Sequence, residues 1–411
     1  MAYRDLLAQL AGVRALGVEL GLDRMRAALA RLGDPQQRFA AVQIAGTNGK
    51  GSTAAMTEAI LRAHGLGCGL YTSPHLARFS ERIRVDGVEA DGDRLAEIGR
   101  RVAATGLPLT YFEIATALAF VVFAEDAIDV AVLETGLGGR LDAVTTAEPL
   151  ATAITSIGFD HMAYLGGSLR EIAYEKAGIL RPGIPAFLGR LPAEADDEIT
   201  RVAAGVNAPL VRLGRDLTAP GMPLGLPGAH QRDNAALALA LAGAVLAARQ
   251  RHLDPKTVAD ALADVRWPGR LESVADDVLL DCAHNADGAA ALAIALGDLA
   301  PGRRIVLLIS VVNDKDPGSM FAALERSTAA VVVTRSSNPR ALAADHLAAV
   351  ARTHFADVTA IDDPLTALAT ARRLAAPAGL VVVCGSMFLV GAVRAHLLGE
   401  STDPEFTSDP V

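Results

Sequence analysis

Lys50 lies in the run Gly46-Thr47-Asn48-Gly49-Lys50-Gly51-Ser52-Thr53, between an apolar stretch at residues 39–44 and a helix-like stretch at 53–63. Glycines in such a turn let backbone N–H groups converge on an anion, the start of a helix adds its dipole, and a lysine supplies a full positive charge. The chemistry is phosphate capture, with Ser52 or Thr53 offering a hydroxyl to Mg²⁺. The spacing departs from the strict phosphate-loop pattern, because Gly51 stands between the lysine and the first hydroxyl residue and the segment ahead of Gly49 is short. A glycine-rich turn with no ligand is the alternative; strand, glycines, lysine and hydroxyl in this order favour phosphate binding.

Further polar residues fall where predicted strands end. Residues 128–133 form a near-continuous apolar run of the kind seen in buried parallel strands, and it delivers Glu134. A flexible turn, Thr135-Gly136-Leu137-Gly138-Gly139-Arg140-Leu141-Asp142, follows. The short strand at 68–71 ends in Thr72-Ser73-Pro74, and the strand at 151–157 runs into Asp160-His161. In open α/β sheets a ligand lies beyond the carboxyl ends of the strands. The phosphate loop, Ser73, Glu134 and His161 occupy four such ends. Taken singly, Glu134 reads equally well as a solvated loop carboxylate and His161 as a capping or core histidine; their convergence is the stronger argument.

A chain of 411 residues exceeds what one core usually supports, so two domains are expected. Hydrophobic residues make up 51% and charged residues 21%, a globular balance. The net charge of −9 argues against a general binder of nucleic acid or anionic membranes. Cys68, Cys282 and Cys384 have no metal-ligand spacing and read as reduced, buried thiols of a cytoplasmic protein. Arg4 and Asp5 interrupt any signal-peptide pattern, and the apolar stretch at 235–248 is too short to span a bilayer. Only Lys50, Lys176, Lys256 and Lys315 are lysines; the other 34 of the 38 basic residues are arginine. Unlike arginine, lysine has an accessible neutral, nucleophilic form when buried.

The supporting elements alternate. Helical segments at 3–32 are broken at 17–23. Later helices fall at 112–126, 168–177, 231–249 and 254–264, with Glu175-Lys176 near the end of the second of these. Trp267-Pro268-Gly269, with the only tryptophan, is the candidate junction, dividing the chain into 1–267 and 268–411. Beyond it, apolar runs at 278–281, 304–310, 330–334, 357–361 and 380–384 alternate with alanine-rich helices. The fold class expected is α/β: a large N-terminal parallel-sheet domain of phosphate-loop type and a smaller Rossmann-like C-terminal domain. Asp281, His284, residues 313–316 and Gly385-Ser386 stand at strand ends of the second.

In order along the chain, the phosphate loop, Thr72-Ser73-Pro74-His75-Leu76, the run Glu134 through Asp142 and Ala143, Asp160-His161, Glu175-Lys176-Ala177-Gly178-Ile179, Trp267-Pro268-Gly269-Arg270-Leu271-Glu272 and Asp281-Cys282-Ala283-His284-Asn285 resemble the signature of folylpolyglutamate and dihydrofolate synthases, which group with the Mur ligases. The resemblance implies that ATP phosphorylates a carboxylate and that the amine of L-glutamate attacks the acyl phosphate, with folate or dihydropteroate as acceptor. It implies phosphate binding by Asn48, Gly49, Lys50, Gly51 and Ser52. Ser73, Glu134 and His161, with Ser52, match its magnesium-site residues. Lys176 matches a lysine carbamylated by CO₂, which turns a cation into a carboxylate-like group. Asn234, Arg270 and Asp281 match ATP-contacting positions, as does Ser386, and His284 a residue near the incoming glutamate. Lys315 matches a motif residue of less certain role. Gly21, Leu22, Arg24, Thr110, Phe112, Glu113 and Asp142 resemble residues lining the pteridine site. Departures from the family pattern, Val144-Thr145 after Ala143 and Cys282 and Ala286 around His284, leave these ligands in place.

Two other functions stay open at this point. A Mur-type cell-wall peptide ligase would run the same chemistry on a nucleotide-linked peptide; the absence of a separate nucleotide-sugar-binding domain before Gly46 weighs against it. A nucleotide-binding protein that performs no ligation would leave Glu134, His161, Lys176, Asp281 and His284 without a joint purpose. A monomer acting on small molecules, with no nucleic-acid or membrane partner, is expected.

Overall fold

The computed structural model describes residues 2–14 and 19–403. Eight strands form the first sheet: β1 (Ala40–Ala45), β2 (Cys68–Tyr71), β3 (Ile83–Val85), β4 (Val88–Glu89), β5 (Val130–Glu134), β6 (Pro149–Ile154), β7 (Ala186–Leu188) and β8 (Leu210–Arg212). Their order is β4-β3-β2-β5-β1-β6-β7-β8. From β2 to β8 the pairing is parallel, and β3 and β4 add an antiparallel hairpin at one edge. Strand β1 is central because every residue from Ala41 to Ala45 is buried, as a strand covered on both faces requires. Its neighbours β5 and β6 belong to crossovers on opposite sides, so the crevice at its carboxyl end is a topological switch point.

The second sheet contains β9 (Glu272–Ala275), β10 (Val278–Leu280), β11 (Ile305–Ile309), β12 (Ala330–Val333), β13 (Val358–Ala360) and β14 (Leu380–Cys384), in the order β13-β12-β11-β14-β10-β9. Five strands are parallel; β9 is an antiparallel edge that the sequence pattern did not reveal. None of its four residues is fully buried, and Glu272-Ser273-Val274-Ala275 carries little apolar signal.

Several boundaries move. The helix expected at 53–63 runs Lys50–Ala63, because Gly49 takes a left-handed φ of 88° and starts it three residues earlier. Lys50 is therefore the first helical residue rather than part of the loop. The helix at 112–126 is Tyr111–Glu125, set by a capping box between Thr110 and Glu113. The opening segment folds as helices Tyr3–Arg14 and Asp23–Arg31; the start of the break expected between them, including Gly17, lies outside the described residues. Helix His230–Ala247 packs on helix Lys50–Ala63 behind the first sheet, through Ala235, Ala238, Leu241 and Ala242. Small residues on this helix permit the close approach that places its first turn beside the phosphate loop. None of the described helices is long and apolar enough to cross a membrane.

Candidate active site between the two sheets

The phosphate loop is held from several sides. Thr155 Oγ1 donates to the Asn48 carbonyl at 2.6 Å, the Asn48 amide donates to Ser156 Oγ at 2.9 Å, and Thr47 Oγ1 exchanges hydrogen bonds with the backbone of Gly158 at 3.0 and 3.1 Å. Gly46 has φ 148°, and a Cβ there would lie 1.9 Å from Thr155 Oγ1. Gly46→Ala is accordingly expected to destabilise the fold by roughly 1–3 kcal/mol, read from the urea midpoint, with KM for ATP rising. An unchanged midpoint would show that the loop tolerates a side chain here.

Gly51, the residue that departs from the usual spacing, has its own cause. A Cβ at this position would sit 3.1 Å from Trp267 Nε1 and 3.5 Å from Glu134 Oε2. The junction tryptophan thus rests on the first turn of the phosphate-loop helix. The Arg84 guanidinium stacks over the same ring, 5.1 Å from its centroid.

Lys50 Nζ donates to the carbonyls of Gly46 and Thr47 at 3.0 and 3.2 Å and stands 4.0 Å from Glu134 Oε1. Glu134 Oε2 in turn accepts from the Ser73 amide at 3.2 Å, so the ends of β1, β2 and β5 meet. Lys176 Nζ, on the helix Leu169–Ala177, donates to the same Gly46 carbonyl at 2.8 Å. Burial first, and the Lys50 charge second, lower its pKa to about 7. Among four lysines this one alone is buried beside a second cation, which is the environment that makes a neutral amine.

His161 begins the short helix Met162–Leu165 with φ 50°, and burial lowers its pKa to about 3 despite the Asp160 carboxylate. A neutral imidazole is the form that ligates a cation. Ser73, Glu134 and His161 all line one cleft of about 650 Å³. Among the described residues, no three His, Cys, Asp or Glu side chains gather into a ready cation cage. That donor set suits Mg²⁺, which takes few protein ligands and completes its shell with water and phosphate oxygens.

The second sheet supplies the facing wall. Arg270, Asp281, His284 and Ser386 line the same cleft as the phosphate loop, as does Asn234 from helix His230–Ala247. Asp281 accepts from the amides of Leu271 and Ala283 at 3.0 and 2.9 Å; burial pushes its carboxyl above the usual carboxylate range, against the pull of Arg270. His284 Nδ1 meets the Cys282 carbonyl at 2.9 Å, and its Nε2 lies 3.4 Å from Asp160 Oδ2 at the cleft wall. Asn234 Nδ2 donates to Gln231, whose Nε2 donates to Ser52 Oγ at 3.3 Å. Gln231 is a site residue the sequence pattern did not single out.

The residues assigned to the pteridine lie outside this cleft. Arg24 Nε reaches Glu113 Oε2 at 3.3 Å, which brings Gly21, Leu22 and Arg24 to Thr110, Phe112 and Glu113. Phe112 covers Gly136, where a Cβ would lie 2.4 Å from its ring, and Gly136, Leu137 and Gly138 line the cleft. Asp142 is buried and receives the amides of Gly136, Leu137 and Val144 at 2.8, 2.9 and 3.1 Å. It therefore braces the wall between the two regions rather than lining the cleft.

Residues 44–215 match the Mur ligase middle domain, and residues 269–387 match the Mur ligase glutamate ligase domain. The dihydrofolate synthase/folylpolyglutamate synthase of Bacillus subtilis is 33% identical, over 96% of this chain and 99% of that protein. The chain belongs to the folylpolyglutamate and dihydrofolate synthase family. Its structure also superposes on the Mycobacterium tuberculosis folylpolyglutamate synthase complexed with ADP, with TM-score 0.90 and 32% identity over 97% of this chain and 100% of the other. A solved bifunctional folylpolyglutamate synthase/dihydrofolate synthase with Mn, AMPPNP and L-glutamate bound gives TM-score 0.87 and 32% identity, covering 96% of this chain and 98% of that one. Family and fold expected from the ordered motifs thus agree with both comparisons.

Proposed function

We propose that this chain is an ATP-dependent amide ligase that adds L-glutamate to a folate and to dihydropteroate through an acyl phosphate. The observation that carries it is the single cleft in which the phosphate loop of one sheet faces Arg270, Asp281 and His284 of the other. A carboxylate oxygen of the acceptor bonds to the γ-phosphorus as ADP leaves. The glutamate amine then bonds to the acyl carbon, phosphate departs with the C–O electron pair, and the nitrogen loses a proton.

Asn48, Gly49, Lys50, Gly51 and Ser52 hold the β- and γ-phosphates with first-turn amides and the lysine charge. Asn234, Arg270, Asp281 and Ser386 receive the rest of the nucleotide. Ser73, Glu134 and His161, with Ser52, would hold Mg²⁺, which neutralises charge on the transferring phosphoryl group. Neutral Lys176 would carry a CO₂-derived carbamate, a further anionic oxygen donor beside the phosphates. His284, which lines the cleft beside Asp160, would stand near the acyl phosphate and the amine as a proton or electrostatic partner. Domains 1–267 and 268–411 together exclude water, which an acyl phosphate requires.

For the pteridine, Glu113 provides an acceptor: its Oε1 is buried without a hydrogen-bond partner, as a heterocyclic N–H requires, and Phe112 precedes it in the first turn of the helix. The protein is read as a cytoplasmic monomer, consistent with three buried free thiols.

The test is an acceptor assay with ATP and L-glutamate. ADP release is expected only when dihydropteroate or tetrahydrofolate is also present, with one amide formed per ADP. Ligation of a nucleotide-linked peptide alone would make the chain a Mur-type enzyme. ADP release that ignores both glutamate and pterin, without amide, would make it a nucleotide hydrolase.

A further inference from the structure

Asp160 stands apart from the roles above. It follows β6 on the first domain, is 8% exposed, and three side chains of the second domain converge on it. Lys315 Nζ donates to Oδ1, Asn285 Nδ2 donates to Oδ2 at 3.3 Å, and His284 Nε2 lies 3.4 Å from Oδ2. Lys315 is nearly buried as well, with Asp314 at 3.7 Å as its other partner.

Independent contacts flank the cluster. Asn48 of the phosphate loop and Asn285 pair reciprocally through their amides at 3.1 and 3.2 Å, one from each domain. Gly158, two residues before Asp160, lies between Thr47 and Asp287; a Cβ on it would meet Asp287 Oδ2 at 2.1 Å. The segment 158–160 therefore touches the phosphate loop on one side and helix Ala286–Leu299 on the other. Asn285 caps that helix through the Gly288 amide at 2.8 Å while it holds Asn48 and Asp160, so the helix start is fixed to the seam.

We propose that Asp160 is a positioning residue, the anchor of an interdomain clasp in which Lys315 and Asn285 hold the second domain so that His284 faces the phosphate loop. The inference rests on the ligase reading above. A carboxylate that neutralises a nearly buried ammonium across a seam favours the closed arrangement. Losing either partner leaves an uncompensated charge in the interface, which separation of the domains relieves. An opened seam admits water to the acyl phosphate: water oxygen then bonds to phosphorus or to the acyl carbon, phosphate and free carboxylate are returned, and ADP has been released without an amide.

The test compares full-length wild type with Asp160→Asn, Lys315→Met, the double variant and Lys315→Arg. It measures amide and ADP separately, with KM for ATP. Each charge-removing single variant is expected to lose on the order of 10²-fold in kcat for ligation, as a displaced catalytic geometry does. KM for ATP should stay within about threefold, because the phosphate loop itself is intact. More ADP than amide should appear. The double variant should be no worse than the poorer single one, since both remove one interaction. Lys315→Arg should recover most of the coupling. Amide and ADP remaining equal in every variant, or single losses that multiply in the double, would overturn the clasp. Should Asp160→Asn fail to fold, the contrast between Lys315→Met and Lys315→Arg decides alone: equal uncoupling in both rejects the idea. Wild type that forms no amide sinks the ligase proposal instead, so the two failures are distinguishable.

Discussion

Lys50→Ala is expected to lower kcat/KM for ligation on the order of 10³-fold while leaving the protein folded, measured by amide formation and by thermal melting. The loss follows from position. Lys50 is the first residue of a helix that starts at a left-handed glycine, so its ammonium and the first-turn amides address the same anion. In this structure the ammonium rests on the carbonyls of Gly46 and Thr47, about 4 Å from Glu134, with 17% of its side chain exposed. Phosphate oxygens offer a stronger partner than neutral carbonyls, and the interaction grows as charge moves onto the phosphoryl group. Stability should change little because the loop is braced by Thr155, Ser156 and Thr47, none of which depends on the lysine. Lys50→Arg should not restore activity, since a planar guanidinium cannot occupy the compact position of an ammonium. Activity within tenfold of wild type in Lys50→Ala would remove the lysine from the reaction.

The parts of this site legible in the sequence share a feature: each sits at the end of an apolar strand, where polar residue types are unexpected unless used. Glu134 as the last residue of β5 and Asp281 just after β10 stand out for that reason, and the two-sheet α/β architecture follows from the same alternation. What escaped notice was relational. His284 and Lys315 stand out as motif residues, but nothing in spacing tells that both turn to Asp160, because the partners lie far apart in the sequence. Gly51 looked like an irregular phosphate loop, yet its cause is Trp267 packed on the helix start. Gln231 escaped because a glutamine at a helix start is ordinary; only its hydrogen bond to Ser52 gives it a place in the site. Asp142 resembles a pteridine-site residue in sequence, and the structure adds that it accepts three amides and so braces the wall beside Phe112.

Lys176→Ala is expected to lose about 10²–10⁴-fold in kcat, and its chemical rescue discriminates between two roles for the lysine. As a cation it would neutralise phosphate charge beside Lys50, and added short carboxylates would do nothing or inhibit. As a carbamate it is an anion, and formate or acetate occupying the vacated space should restore part of the rate. The structure favours the second role on electrostatic grounds. Two ammonium groups bonded to one carbonyl, that of Gly46, repel each other, and loss of a proton from the more buried one removes the conflict. With its pKa lowered to about 7, Lys176 is half neutral near that pH. Only the neutral amine reacts with CO₂, so wild-type activity in CO₂-depleted buffer should fall and bicarbonate should restore it. The restoration should strengthen as pH rises through about 7 and fade below it, where the amine is protonated. Carboxylates that fail to rescue Lys176→Ala, together with wild-type rates indifferent to bicarbonate, would return Lys176 to the role of a simple cation and leave Glu134 and His161 as the principal metal-binding side chains.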